Sequence, residues 1–213
     1  MAKIRKITKN PRKDRKNYFL VDASFLAEKY LPIETASAVE VKERIRECKK
    51  WWKEIDRQVT EGRARVYIPD VCIAEAFKVL AKKYYSESAF DDYPTYKKAK
   101  DALSKDVTIP AKDLKKQNRH IRYHDLPTIR DVVIAVDRFY ELFMKNKNNV
   151  GVVDLLIVAN AKYLMDFHDA QRSQMHIITF DKALRDGTKN IAELPNAYYP
   201  GEDNDIFERV FKS

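Results

Sequence analysis

Apolar positions along the chain change rhythm several times, and each change marks an element. Tyr18-Phe19-Leu20-Val21 is an unbroken apolar run, as expected of a strand buried on both faces. It stops on Asp22, and Phe25 to Leu31 reads as a helix closing before Pro32. From 35 to 61, Val39, Ile45, Cys48, Trp52, Ile55 and Val59 recur at helical spacing between Lys, Arg and Glu, predicting a long amphipathic helix ended by Gly62. Arg65-Val66-Tyr67-Ile68 predicts a second strand stopped by Pro69, with Asp70 placed to N-cap a helix over 71–85. The pattern weakens from 86 to 125: Asp91-Asp92-Tyr93-Pro94 reads as a loop, 95–104 as a short lysine-rich helix, and the rest has little periodicity.

Periodicity then returns. Pro127 is placed in the first turn of a helix running to about 147, with Ile129, Val132, Val133, Val136, Phe139, Tyr140 and Phe143 as its apolar stripe. The stretch from Val150 opens as an apolar helix with one acid, Asp154, near its start. A β-branched run, His176-Ile177-Ile178-Thr179, leads to Asp181, and 182–186 reads as a brief helix ended by Gly187. Ala197-Tyr198-Tyr199 is expected as the last strand, before an amphipathic segment from 203 to 213. Strands alternating with helices predict an α/β fold with a central parallel sheet flanked by helices. The expected organisation is a tail over 1–17 and one domain over 18–213, with a helical, basic insertion at about 86–125.

Charge refines this picture. The chain of 213 residues carries a formal +9, and residues 1–17 hold Lys3, Arg5, Lys6, Lys9, Arg12, Lys13, Arg15 and Lys16 against Asp14. The tail is thus +7 and the remainder 9 − 7 = +2, so the basicity is mostly an arm suited to a polyanion. A second basic group, Lys115, Lys116, Arg119 and Arg122 with His120 and His124, falls in the insertion near Tyr123 and suits a nucleic-acid groove. Cys48 and Cys72 make neither a disulfide framework nor a thiolate cluster, and are expected as core thiols in a reducing compartment. With no apolar run near the ~20 residues that span a bilayer and no signal-peptide pattern, a cytoplasmic protein without membrane contact is expected.

Four acids fall at element ends: Asp22 after the first strand, Glu75 early in a helix, Asp154 early in another, and Asp181 after a later strand. In a parallel sheet, strand ends and the starts of the following helices share one edge. Carboxylates gathered there repel one another unless a cation neutralises them, and an all-oxygen donor set suits Mg²⁺ or Mn²⁺ rather than zinc. Each acid also has a plain structural reading. Asp22 and Asp154 can cap helices, Glu75 can pair with a lysine, and Asp181 can be a turn residue.

The blocks around these acids are Tyr18-Phe19-Leu20-Val21-Asp22-Ala23-Ser24, Ile68-Pro69-Asp70-Val71-Cys72-Ile73-Ala74-Glu75, Asp154-Leu155-Leu156-Ile157-Val158-Ala159-Asn160-Ala161 and Thr179-Phe180-Asp181-Lys182-Ala183-Leu184. In this order they resemble the PIN domain, the family that includes the VapC-type toxins of toxin–antitoxin pairs. The resemblance implies a PIN-like three-layer fold and a Mg²⁺- or Mn²⁺-dependent endoribonuclease. It implies Asp22, Glu75, Asp154 and Asp181 as the catalytic acids, with Asp22, Asp154 and Asp181 as metal ligands. It also implies Ser24 and Thr179 as residues that orient the carboxylates. RNA, an antitoxin protein and a second copy of the chain are the partners it implies. The competing expectations are a catalytically inactive RNA-binding or assembly module, and an aspartyl-phosphate phosphatase. The latter usually needs an acid two residues after the first, where this chain has Ser24.

Overall fold

A computed structural model describes residues 16–34, 38–107 and 123–212. Residues 1–15 of the expected tail over 1–17, and the cationic residues Lys115, Lys116, Arg119 and Arg122, lie outside the described residues, while Asn17 already belongs to the first strand.

The strands are β1 (Asn17–Val21), β2 (Ala64–Pro69), β3 (His124–Leu126), β4 (Met175–Ile178) and β5 (Asn196–Tyr198). They form one sheet in the order β3-β2-β1-β4-β5, with every pairing parallel. The described helices are α1 (Ala23–Glu28), α2 (Val39–Thr60), α3 (Asp70–Tyr85), α4 (Tyr93–Val107), α5 (Arg130–Lys145), α6 (Val152–Phe167), α7 (Lys182–Lys189) and α8 (Asn204–Lys212). The chain thus winds outward from β1 to β3, returns to the far side of β1 for β4, and winds outward again to β5. Crossovers between parallel strands are right-handed almost without exception, so the helices of the two halves cover opposite faces. The reversal between β1 and β4 leaves a crevice beyond their carboxyl ends, where open α/β sheets place their ligands.

Burial explains which patterns were readable. Phe19, Leu20 and Val21 are fully buried, because β1 is central and covered on both faces. α6 buries Leu155, Ile157, Val158, Ala159, Ala161 and Leu164, so it is apolar nearly all round, as a helix inside a layered domain must be. Both cysteines are free and buried, as expected.

Several boundaries differ from expectation, each for a local reason. β3 was not anticipated, since His-Asp-Leu at a sheet edge has no apolar rhythm; it draws the end of the supposed insertion into the sheet. Because β3 runs to Leu126, Pro127 precedes α5 instead of opening it. On that helix Val132, Phe139 and Phe143 are buried, while Val133 and Tyr140 face solvent. Pro69 occupies the N-cap position of α3, and Asp70 is its first helical residue. Gly187 does not end α7. A Cβ there would come within 2.8 Å of Phe143 Cδ1, so glycine lets the helix lie against a buried ring. Gly62, at φ +71°, follows α2 in the turn that was expected.

Candidate active site

Asp22 is the innermost of the acids, 6% exposed at the carboxyl end of β1. Val21 pairs with Ile178, and the Asp22 N–H continues the ladder to the Ile178 carbonyl at 3.1 Å, which brings the end of β4 alongside. There the Thr179 hydroxyl donates to Asp22 Oδ2 at 2.6 Å, and the Phe180 N–H reaches the same oxygen at 3.3 Å. The other oxygen, Oδ1, accepts from the Phe25 N–H at 2.6 Å and caps α1. Thr179 Oγ1 also accepts the Asp181 N–H at 2.8 Å. One threonine hydroxyl therefore joins the acids that end two neighbouring strands.

Asp154 enters from α6. Its Oδ2 accepts the Gly151 N–H at 3.0 Å, closing the first turn, and a Cβ on Gly151 would approach that oxygen to 3.2 Å. Asp181 caps α7 through the Leu184 N–H at 2.8 Å. Glu75 lies on α3, one turn after the buried Cys72. No described residue forms an ion pair or hydrogen bond with the Glu75 carboxylate, so the lysine partner considered from sequence is absent among them. Ser24 is half-buried and, among the described residues, makes no hydrogen bond to a carboxylate; of the two expected orienting residues only Thr179 performs that role.

The acids act on one another through space. Asp22 is raised from its ordinary value to about 7, first because burial disfavours its charge and in smaller part because Asp154 is near; the bonds from Thr179, Phe25 and Phe180 oppose the rise. Asp154 is raised to about 6, by burial and then by the charges of Asp181 and Glu75, against the Gly151 bond. The Cys72 thiol is pushed above its normal range, chiefly by burial and then by Asp22 and Glu75. The sheet edge and α3 and α6 thus gather the acids into one negative region. A cation there would relieve both the mutual repulsion and the cost of burying Asp22 in ionised form.

Among the described residues, no three His, Cys, Asp or Glu side chains already stand in an arrangement that holds an ion. Asp22, Asp154 and Asp181 also each cap a helix, so the plain structural role is present alongside any chemical one. Capping occupies one oxygen of Asp154 and one of Asp181, which leaves the other oxygen of each without a hydrogen bond among the described residues. The donor set, carboxylate oxygens alone, fits Mg²⁺ or Mn²⁺. His176, the histidine nearest in sequence to this edge, is fully buried and held near 3 by burial, against the Phe19 ring.

The fold has known counterparts. A chain of VapBC2 from Rickettsia felis, solved bound to a DNA fragment from its promoter, superposes with a TM-score of 0.50 over 85% of this chain and 98% of that one. The fold is that of a PIN domain. At 10% identity the likeness is one of architecture. FitAB bound to IR36 DNA (TM-score 0.48, 14% identity, 85% of this chain and 94% of that one) and FitAcB from Neisseria gonorrhoeae (0.49, 13%, 86% and 99%) are also similar in structure. No family model matches the sequence, and no curated protein does. The PIN fold accounts for the parallel sheet and its switch point.

Sequence reasoning overlooked several residues around this site. The Phe180 N–H is one, its contribution being carried by backbone. Cys72 is another, read only as core although the charges of Asp22 and Glu75 reach its thiol. Arg44 and Glu28 form a largely buried pair at 2.5 Å beside Phe180. On an amphipathic helix Arg44 looks like any solvent-facing arginine, so nothing in the local pattern marks it.

Proposed function

We propose that this protein is a metal-dependent endoribonuclease that hydrolyses RNA phosphodiester bonds, acting as the toxin of a toxin–antitoxin pair. The observation that carries the reading is the gathering of Asp22, Glu75, Asp154 and Asp181 at the switch point of a PIN fold, where Asp22 and Asp154 are both raised by burial and by neighbouring acids. In this reading Asp22, Asp154 and Asp181 hold Mg²⁺ or Mn²⁺, with Glu75 completing the acidic set. When bound, the ion would lower the pKa of a water and neutralise charge on the phosphate. Thr179 and the Phe180 N–H keep Asp22 in one orientation, so its carboxylate presents a fixed charge at the edge of β1. Glu75 has no ion-pair partner among the described residues, so its charge adds to that of the acidic set. Cys72 and the buried walls around Asp22 exclude bulk solvent from the base of the site.

The antitoxin partner and the use of RNA follow from the same resemblance; VapBC2 and FitAB, solved with DNA, are the similar structures. Among the described residues, no helix is long and apolar enough to cross a membrane. The test is incubation of a mixed structured RNA with Mg²⁺, with Mn²⁺ and with chelator, beside Asp154→Asn, with melting temperature followed in parallel. Metal-dependent cuts, and a metal-induced rise in melting temperature, are both expected to vanish in the variant. Cleavage by Asp154→Asn at the normal rate would refute the assignment. RNA retained equally well with and without chelator, and never cut, would favour the inactive binding module.

A further inference from the structure

The exposed face of α3 leads away from the acids. Glu75, whose charge helps raise Asp154, is followed on the same side of the helix by Lys78, Lys82 and Tyr85, at i+3, i+7 and i+10. At 1.5 Å per residue these lie about 4.5, 10.5 and 15 Å along the axis from Glu75. All three are exposed, Tyr85 at 72%. Lysines in the last turn of a helix complement its dipole, which accounts for Lys82 and Lys83. It does not account for Lys78, which lies a turn earlier and forms no ion pair among the described residues.

At its far end this face meets an aromatic shelf. Tyr84 of α3 and Tyr96 of α4 stack with centroids 4.7 Å apart and planes 6° apart, and the buried Phe90 ring packs edge-on against both. Those three rings fill the seam between the helices. Two more, Tyr85 and Tyr93, lie on the stacked pair and stay exposed: Tyr85 is edge-on to Tyr84 and Tyr96 at 4.8 and 6.0 Å, and Tyr93 lies 6.0 and 5.9 Å from the same rings. Lys97 and Lys100 follow Tyr93 at i+4 and i+7, on its side of α4. From 78 to 101 the chain carries six lysines against four acids. Glu87 is shared by Lys82 and Lys83, and Asp92 caps α4 through the Thr95 N–H at 2.8 Å. That leaves Asp91 and Asp101 against Lys78, Lys97, Lys98 and Lys100, none of them paired among the described residues. Rings held rigidly from beneath and flanked by cations are how proteins bind an unpaired strand, with bases on the rings and phosphates on the cations.

We propose that Lys78, Lys82, Tyr85 and Tyr93 form the subsite for a single-stranded flank of the RNA, which runs from the acids along α3 and onto the shelf. This rests on the nuclease reading above. Lys78 takes the phosphate nearest the acids and Lys82 one farther along. Tyr85 and Tyr93 take bases, and Lys97 a phosphate beyond them.

The experiment is fluorescence anisotropy with a labelled ten-nucleotide single-stranded RNA in chelator, where cleavage plays no part, over a series of salt concentrations. Lys78→Gln and Tyr85→Leu alter exposed side chains and are expected to fold normally, which circular dichroism checks. Lys78→Gln should lower the slope of log affinity against log salt by about 0.7, the value for one lost phosphate contact on a single strand. Tyr85→Leu should weaken binding by roughly 5- to 150-fold, the range for one lost base stack, and Tyr93→Leu should do the same. Lys53→Gln, at an exposed lysine of α2, should change neither affinity nor slope. Unchanged affinity and slope in folded Lys78→Gln and Tyr85→Leu would overturn the proposal. So would a slope lowered as much by Lys53→Gln as by Lys78→Gln, since net charge alone would then attract the RNA. A duplex of equal length bound as tightly as the single strand, or substitutions that affect only capture of a protein partner, would overturn it too. The two readings separate cleanly. Metal-dependent cleavage with binding indifferent to Lys78 and Tyr85 removes the subsite and keeps the nuclease; binding that depends on both, with no cleavage in either metal, does the reverse.

Discussion

Replacing Thr179 by valine removes one hydroxyl and almost no volume, yet it cuts the link between Asp22 and Asp181. Thr179 Oγ1 donates to Asp22 Oδ2 at 2.6 Å and accepts the Asp181 N–H at 2.8 Å, and the residue is fully buried. A hydrogen bond to a charged group contributes about 1.5–3 kcal/mol, and an orphaned buried donor costs about 1–3 kcal/mol. The sum depends on pH because Asp22 titrates. Its folded pKa is about 7, above the ordinary 3.8, so the native state binds the proton more tightly than the unfolded chain does. In metal-free protein, the stability tied to this group is fully present below pH 4 and is lost as pH rises through 7. At pH 8 Asp22 is ionised and the Thr179 bond is charge-assisted; at pH 5 the carboxyl is neutral and the bond an ordinary one. Thr179→Val is therefore expected to cost about 3 kcal/mol at pH 8 and about 2 kcal/mol at pH 5, mostly through the Asp181 N–H at the lower pH. Thr179→Ser should recover most of the difference. The assay is urea unfolding in chelator at both pH values, followed by circular dichroism. A loss below about 0.5 kcal/mol at pH 8, the range of an ordinary surface change, would mean that the hydroxyl does not bridge the acids.

Asp22→Asn removes the charge but puts an amide NH2 where one carboxylate oxygen now accepts, from Thr179 and Phe180 or from Phe25, so cleavage should be abolished and the stability of metal-free protein should lose the dependence on pH between about 4 and 7 that Asp22 confers. Denaturant unfolding at pH 5 and pH 8 and the RNA assay on one preparation check both halves, and a variant whose stability falls from pH 5 to pH 8 as steeply as that of the unaltered protein would contradict the raised pKa. Gly187→Ala places a Cβ against the fully buried Phe143 ring, and the overpacking should cost about 1–3 kcal/mol by thermal unfolding, despite the better helix propensity of alanine. A stabilised Gly187→Ala would show that the ring moves aside freely.

Much of this architecture could be read from the chain because central elements advertise their burial. Tyr18 to Val21, Arg65 to Ile68 and His176 to Ile178 were recognisable as strands, since side chains enclosed on both faces must be apolar whatever their partners. The same enclosure made the acids conspicuous: Asp22, Asp154 and Asp181 each stop or interrupt an apolar run, and Glu75 stands among small and apolar neighbours. Edge elements do not obey that rule. His124 to Leu126 became a strand only because β2 offers it a free row of backbone groups, and Gly187 stayed helical only because Phe143, from a distant helix, needs the space. Capping was within reach of the sequence, being set by residues three apart. The linkage through Thr179, the neighbourhood of Asp154 and Asp181, and the Glu28–Arg44 pair beside Phe180 were not. Each joins elements far apart in the chain, and no local pattern encodes which distant helix or strand will complete a hydrogen bond. Residue type and spacing therefore determined which side chains could carry chemistry, and the winding of the sheet, with its reversal between β1 and β4, decided which of them meet.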